Sequence, residues 1–348
     1  MRDGRPGLAE YTTLRLGGPA RHVVEATTES EIGQIIREVD ADRRDLLILA
    51  GGSNVVIGDA GFDGTALLIR TTGLTSQRVG AEVDVTVQAG EPWDVIVARS
   101  LAEGWSGLEC LSGIPGSTGA TPIQNVGAYG QDVAELITAV RVLDRVTGEI
   151  GSRTVAECGL GYRSSVFKGS DRWIVLAVTF RLAVSPLSAP IRYADLAQVL
   201  DIPIGERAEA AVVRDAVLRL RAGKGMVLDE RDPDTYSAGS FFMNPVLDGD
   251  GFDALRARAT TAGSPPAWPG ADGTVKTSAA WLIERAGFTK GYGNSHVSIS
   301  TKHTLALTNR GDGTTKELLD LAREVRDGVV DRFGVTLRPE VALINCEF

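Results

Sequence analysis

The sequence predicts an α+β fold in about three pieces, on three observations. Helical and strand periodicities are both present, but they do not alternate as regular βαβ units. A glycine- and proline-rich stretch, Ser112 to Gly130, is too rich in small polar residues for an ordinary helix or strand. The pattern also changes character near residue 73 and again near residue 205. The expected pieces are residues 1–73, 74–205 and 206–333, followed by a last strand.

In the first piece Ile32, Ile35, Ile36 and Val39 fall at helical spacing. Leu46 to Ala50 reads as a buried strand entering a glycine turn, and Ala66 to Ile69 as another short strand. In the second, Val83, Val85 and Val87 alternate as a strand, and Trp93 to Glu103 suits a helix. Ile137–Leu143 and Trp173–Leu182 are strands rich in β-formers. A helix from about Glu209 to Arg221 leads into the flexible exit Gly223-Lys224-Gly225. The third piece carries helices near Phe252–Thr261, Ser278–Ala286 and Thr315–Phe333, and a strand near Thr304–Leu307. Ala262–Gly273, rich in proline and glycine, reads as a surface loop, and a strand from Val335 to Ile344 closes the chain.

Composition excludes several classes. At 348 residues, with 43% hydrophobic and 23% charged residues, the chain can bury a substantial core. A net charge of -9 with no long basic run argues against nucleic acid or an anionic membrane as partner. No apolar run is long enough to span a bilayer, and Met1 to Pro6 lacks a signal-peptide core, so a cytoplasmic location is expected. Cys110, Cys158 and Cys346 are widely spaced and read as packing residues. With only His22, His296 and His303 available, no metal site is expected.

The chain has no G-x-G-x-x-G, no Walker loop and no G-x-S-x-G elbow. Two other glycine turns remain. Gly51-Gly52-Ser53-Asn54-Val55 follows a predicted strand, where it could be a plain connection or an anion-facing loop. Paired with the 112–130 stretch it suits a ligand with a diphosphate and an extended body. Gly161-Tyr162-Arg163 sets a five-donor cation after a turn, either in an ion pair or facing a carboxylate. Ser240, before Phe241 and Phe242, is either a turn serine or a proton donor. Glu340, in an apolar strand pattern, is either a paired structural ion or a perturbed acid.

Seven blocks in order resemble the UDP-N-acetylenolpyruvoylglucosamine reductase family. They are Thr13-Leu14-Arg15-Leu16-Gly17-Gly18-Pro19-Ala20, Gly51–Asn54, Ile114-Pro115-Gly116, Pro122–Gly130, Gly161–Arg163, Gly239–Phe242 and Pro339-Glu340. The resemblance implies a flavoenzyme of peptidoglycan precursor synthesis, with an FAD-binding half of the vanillyl-alcohol oxidase type. It makes 206–333 an α+β substrate domain and returns the strand in 334–348 to the first piece. FAD, held noncovalently because neither loop contains histidine, would lie against Gly51, Gly52, Ser53, Asn54 and Val55. Its other contacts would be Ile114, Pro115, Gly116, Ser117, Thr118, Thr121, Pro122, Asn125, Gly127 and Tyr129.

The implied reaction has two hydride transfers. NADPH reduces FAD and leaves; UDP-N-acetylglucosamine enolpyruvate then takes its place and receives hydride at C3. Arg163 and Glu340 match the pair that stabilises the enolic intermediate, with Glu340 protonated so that it can donate. Ser240 matches the donor that protonates C2 to give UDP-N-acetylmuramate. Tyr162, Arg163, Tyr193 and His303 match substrate-contacting positions, and Lys224 and Asn244 match substrate- or NADPH-contacting ones. Tyr193 lies in the covering loop of the longer subtype. Met243 stands where the family often has lysine, and His303 where an amide is common. A monomer is expected. Another oxidase of the same flavin fold, and a non-catalytic flavin or nucleotide-sugar binder, are the alternatives.

Overall fold

The computed structural model describes residues 6–348; the Met1–Arg5 stretch used in reading the N-terminus lies outside them. The chain divides into two compact units. The larger comprises Arg21–Gly51 and Asp63–Val227, and the smaller comprises residues up to Ala20, Gly52–Phe62 and Leu228–Phe348.

The larger unit contains two sheets. Ala20–Ala26, Phe62–Ile69 and Leu46–Leu49 form a three-stranded sheet in that order, the last pair parallel. Beside it in sequence, helix Glu29–Ala41 buries Ile32, Ile36 and Val39. A capping box closes its N-terminus: the Glu31 N–H donates to the Thr28 hydroxyl while the Glu31 carboxylate accepts from the Thr28 N–H. The second sheet is antiparallel, in the order Ile150–Thr154, Ile137–Asp144, Trp173–Val184, Glu82–Gln88, Leu74–Val79. Trp105–Ser106 pairs with the end of Trp173–Val184. Val83, Val85 and Val87 all face inward, as strand alternation requires.

Ile32, Ile36, Leu67 and Ile69 share one core with Val83, Val85, Trp93, Val178 and Phe180. The expected boundary near residue 73 therefore falls inside this unit, because both sheets close over the same apolar interior. Helix Ala210–Gly223, which begins just past the boundary expected near 205, also belongs here. Its Val213, Ala216 and Val217 pack on Cys110, Ile191 and Leu196. Arg214 donates to both Asp94 oxygens at 2.6 and 2.8 Å, and the chain passes into the smaller unit only at Leu228.

In the smaller unit Ser237–Ser240, Ala306–Asn309 and Val297–Ile299 form an antiparallel sheet in that order. Helices Gly249–Arg258, Ala279–Arg285 and Thr315–Phe333 pack with it. Phe241, Phe242, Leu282, Val325, Val329 and Phe333 lie in a core that also takes in Leu14, Leu16 and Val56. Inside the 262–273 segment, Trp268–Pro269 pairs with Val275–Lys276.

The closing strand is short. Only Ala342–Ile344 pairs, in parallel, with Val55–Ile57. Before it, Pro339 faces Phe242 in an isolated antiparallel bridge, flanked by Met243 N–H to the Arg338 carbonyl and Glu340 N–H to the Phe241 carbonyl, so the chain meets a different partner there. Among the described residues no helix is long and apolar enough to cross a membrane.

Candidate active site

Gly51, the 114–129 positions, Tyr162, Arg163, Tyr193 and Lys224 lie in the larger unit. Gly52 to Val55, Ser240, Asn244, His303 and Glu340 lie in the smaller.

In the larger unit the two glycine turns touch. A Cβ added at Gly51 would stand 2.7 Å from the Gly116 Cα, so this approach tolerates only glycine. The 112–130 stretch is pinned from behind. The Gly116 carbonyl accepts from Trp93 N–H at 3.0 Å, Thr118 N–H donates to Glu91 at 2.8 Å, and Gly119 N–H donates to Ala89 at 2.9 Å. Two of the predicted contact residues also hold the loop's own shape. The Thr118 hydroxyl donates to the Glu91 carbonyl and that of Thr121 to the Thr118 carbonyl. Both side chains are buried and shape the loop.

Asn125 is buried in a left-handed conformation, φ +47°. Its Nδ2 donates to the Gly161 carbonyl at 3.0 Å and its Oδ1 accepts from Ala134 N–H at 3.0 Å. Arg163, itself at φ +51°, donates from Nη1 to the Asn125 carbonyl at 3.3 Å and from Nη2 to the Gly127 carbonyl at 2.9 Å. Lys168 Nζ in turn holds the Arg163 carbonyl at 3.1 Å. The predicted cation and the predicted cofactor loop are thus joined through Asn125, which nothing in the sequence spacing announces.

A polar cluster forms where that stretch ends. The Tyr129 and Tyr193 rings meet edge to face at 5.4 Å, and Lys224 Nζ stands 5.9 Å from the Tyr129 ring. Lys224 also lies 3.9 Å from Asp195. Burial pushes the Tyr129 hydroxyl up to about 12 and raises that of Tyr193. Arg221 is the member that the sequence reading passed over. It sits three residues before Lys224, donates from Nη2 to Met226 at 2.9 Å, and burial pulls its pKa below the ordinary arginine range. Its place in the last turn of helix Ala210–Gly223, three residues before Lys224, was the available signal.

In the smaller unit, Ser240 and Glu340 are brought close along the backbone. Ser240 ends a strand with a bulge, since Ser237 pairs with Thr308 but Ser240 with Ala306. Gly239, between them, takes φ +74°. The next residue, Phe241, donates to Leu305 at 2.7 Å and accepts from Glu340 N–H at 2.8 Å. Asn54 reaches the same place: its carbonyl accepts from Ala342 N–H at 3.0 Å and its Nδ2 lies 3.5 Å from the Glu340 carbonyl. The 52–55 turn, Ser240 and Glu340 are therefore neighbours. Asn244 has a local role, accepting at Oδ1 from Ala279 N–H where a helix begins. The His303 N–H donates to the Ser300 hydroxyl at 3.2 Å.

Residues 20–152 match a family model described as an FAD binding domain. Residues 232–344 match one described as the C-terminal domain of UDP-N-acetylenolpyruvoylglucosamine reductase. The reductase of Salinispora arenicola is 61% identical over 348 residues, covering 99% of this chain and 96% of that relative. That of Saccharopolyspora erythraea is 53% identical, with 99% and 96% covered. The crystal structure of the Thermus caldophilus reductase superposes with a TM-score of 0.63 at 23% identity and covers 98% of both chains, which shows a shared fold. With end-to-end identity at this level, the chain belongs to the UDP-N-acetylenolpyruvoylglucosamine reductase family.

Proposed function

We infer that this chain reduces UDP-N-acetylenolpyruvoylglucosamine to UDP-N-acetylmuramate, with FAD as cofactor and NADPH as reductant, in peptidoglycan precursor synthesis. The carrying observation is the 61% identity that runs through both the FAD-binding and the reductase-specific regions.

The residues fit FAD. Gly51 and Gly116 bring two backbone turns together with no side chain between them. Neither 50–56 nor 112–130 contains Asp or Glu, so no carboxylate on these turns repels a diphosphate in an otherwise acidic protein. Gly51–Val55 and the 114–129 positions would hold the cofactor. Bound there, FAD would supply a two-electron hydride store between NADPH and C3 of the enolpyruvyl group.

The remaining chemistry belongs to the chain. Negative charge that develops toward the substrate carboxylate calls for a cation and a hydrogen-bond donor, roles that suit Arg163 and Glu340. Arg163 is pre-oriented by the carbonyls of Asn125 and Gly127. Ser240 suits delivery of the proton to C2, and the proton it gives up is replaced from water, so one hydride and one proton are added in all. The tyrosine pair, with Lys224 and Arg221 beside it, suits the nucleotide portion of the substrate. The reading includes a monomer acting in the cytoplasm, which light scattering and cell fractionation test.

The test of function is direct. Purified protein should be yellow, release FAD on heating, and oxidise NADPH rapidly only when the enolpyruvyl nucleotide is added. Rapid NADPH consumption in air that ignores the nucleotide would overturn the reading in favour of an oxidase.

A further inference from the structure

The N-terminal block Thr13-Leu14-Arg15 has no part in the reaction proposed above. Within the smaller unit it is bonded to three other segments. The Thr13 N–H donates to the Gly52 carbonyl at 3.1 Å. The Thr13 hydroxyl donates to the Ser237 carbonyl at 2.6 Å, 224 residues away in sequence. Asn309 Nδ2 holds the Leu14 and Arg15 carbonyls at 3.1 and 3.3 Å, and Asn309 N–H donates to Tyr236 at 3.0 Å. Arg15, at φ +54°, lays its guanidinium 3.8 Å from the centre of the Tyr236 ring. A non-glycine residue in that conformation persists only where its surroundings impose it.

Thr13 is thus a bridge between the glycine turn of the cofactor and the strand that carries Ser240. That strand needs such a bridge. Its register slips between Ser237 and Ser240, and Gly239 sits between them at φ +74°, so the ladder does not by itself fix where the Ser240 hydroxyl lies. Thr13 is buried and β-branched, which restricts its side-chain torsion and keeps the hydroxyl between the Ser237 carbonyl at 2.6 Å and the Gly52 carbonyl at 3.4 Å.

We propose that Thr13 is a positioning residue for the protonation step, setting Ser240 relative to the Gly52 turn through the Ser237 carbonyl. The proposal rests on the reading of Ser240 as proton donor. A displacement of the donor of the order of an ångström slows the step it serves and leaves hydride transfer from NADPH untouched.

The test compares Thr13→Val, which keeps the shape and removes the hydroxyl, with Thr13→Ser, which restores it. Rapid mixing separates flavin reduction by NADPH from reoxidation of the reduced enzyme by the enolpyruvyl nucleotide without oxygen. Thr13→Val should slow reoxidation by about tenfold to a hundredfold, raise its solvent isotope effect, and leave reduction near the parent rate. Thr13→Ser should recover most of the loss. Deuterium exchange of the FAD-free protein should be faster over residues 236–242 in Thr13→Val than in the parent. Equal slowing of both half-reactions, or parent-like reoxidation in Thr13→Val, would overturn the proposal. If Thr13→Val fails to load FAD, Thr13→Cys, a weak donor of similar size, is read by the same criteria. Ser240→Ala, run in parallel, keeps the two readings apart. Slow reoxidation there with a parent-like Thr13→Val removes Thr13 alone; fast reoxidation there removes both.

Discussion

The Glu340 N–H donates to the carbonyl of Phe241 at 2.8 Å, which ties the segment carrying the candidate acid to the residue directly after Ser240. Two residues separated by a hundred positions in sequence are held in one frame by a main-chain bond, independent of side-chain torsions. A backbone fixed in this way reduces the reorganisation that two side chains need to serve one transition state.

Ser240→Ala should therefore lose turnover by about 10²- to 10⁴-fold, while it binds FAD and is reduced by NADPH as the parent is. Near-normal turnover would remove Ser240 from the mechanism. Glu340→Gln keeps a hydrogen-bond donor on the same tether and should show a smaller loss than Glu340→Ala. Steady-state kinetics on the three variants decides between donation and no role.

Gly51→Ala places a Cβ 2.7 Å from the Gly116 Cα, where the opposing atom is backbone and cannot swing aside. The turns must part, and the variant should purify with less FAD per chain than the parent. The ratio of flavin to protein absorbance measures this, and full occupancy would show that the contact is not part of the cofactor cradle.

Asn125→Ala removes both side-chain bonds of a buried residue and leaves the Gly161 carbonyl and the Ala134 N–H without those partners. The Gly161 carbonyl keeps the Ser164 N–H at 3.3 Å, so the Ala134 N–H bears most of the cost, a loss of about 1–3 kcal/mol. Urea unfolding should show a lower midpoint. Because Arg163 leans on the Asn125 carbonyl, reoxidation by substrate should also suffer more than reduction by NADPH.

His296 Nδ1 lies 2.8 Å from the Glu317 carboxylate, which itself completes the capping box at the start of helix Thr315–Phe333. The carboxylate raises the His296 pKa above its usual value, and the imidazolium lowers that of Glu317. The stabilisation from His296 is fully present below its unfolded pKa and fades as pH rises through the raised folded value. That from Glu317 is present above its unfolded pKa and fades as pH falls through the lowered folded value. Between them lies the window of full effect. The parent's stability advantage over His296→Gln should be larger at about pH 5.5 than at about pH 8.5. An advantage that does not change with pH would mean the pair does not act as an ion pair.

Much of the fold was readable because its signals are local. The helix Thr315–Phe333 appears where expected, since a capping box and an apolar period of three to four lie within a few residues of each other. Val83, Val85 and Val87 reveal a strand because every second side chain enters the same core. The glycine turns declared themselves through residues that tolerate close approach. The helix Ala210–Gly223 was readable as a helix but not as a member of the larger unit. Its allegiance depends on Arg214 meeting Asp94, 120 residues earlier.

By itself the sequence determined the elements, the glycine turns, the chemical inventory of one cation, one acid and one hydroxyl, and the family they resemble. These follow from backbone freedom, side-chain periodicity and residue type, which neighbours in the chain already specify. Only the tertiary structure decided that Asn125 orients Arg163, that Glu340 is tethered beside Ser240, and that Thr13 reaches Ser237. Each is a hydrogen bond between groups far apart in the chain. Such a bond forms only after the core has closed and brought donor and acceptor within about 3 Å of one another.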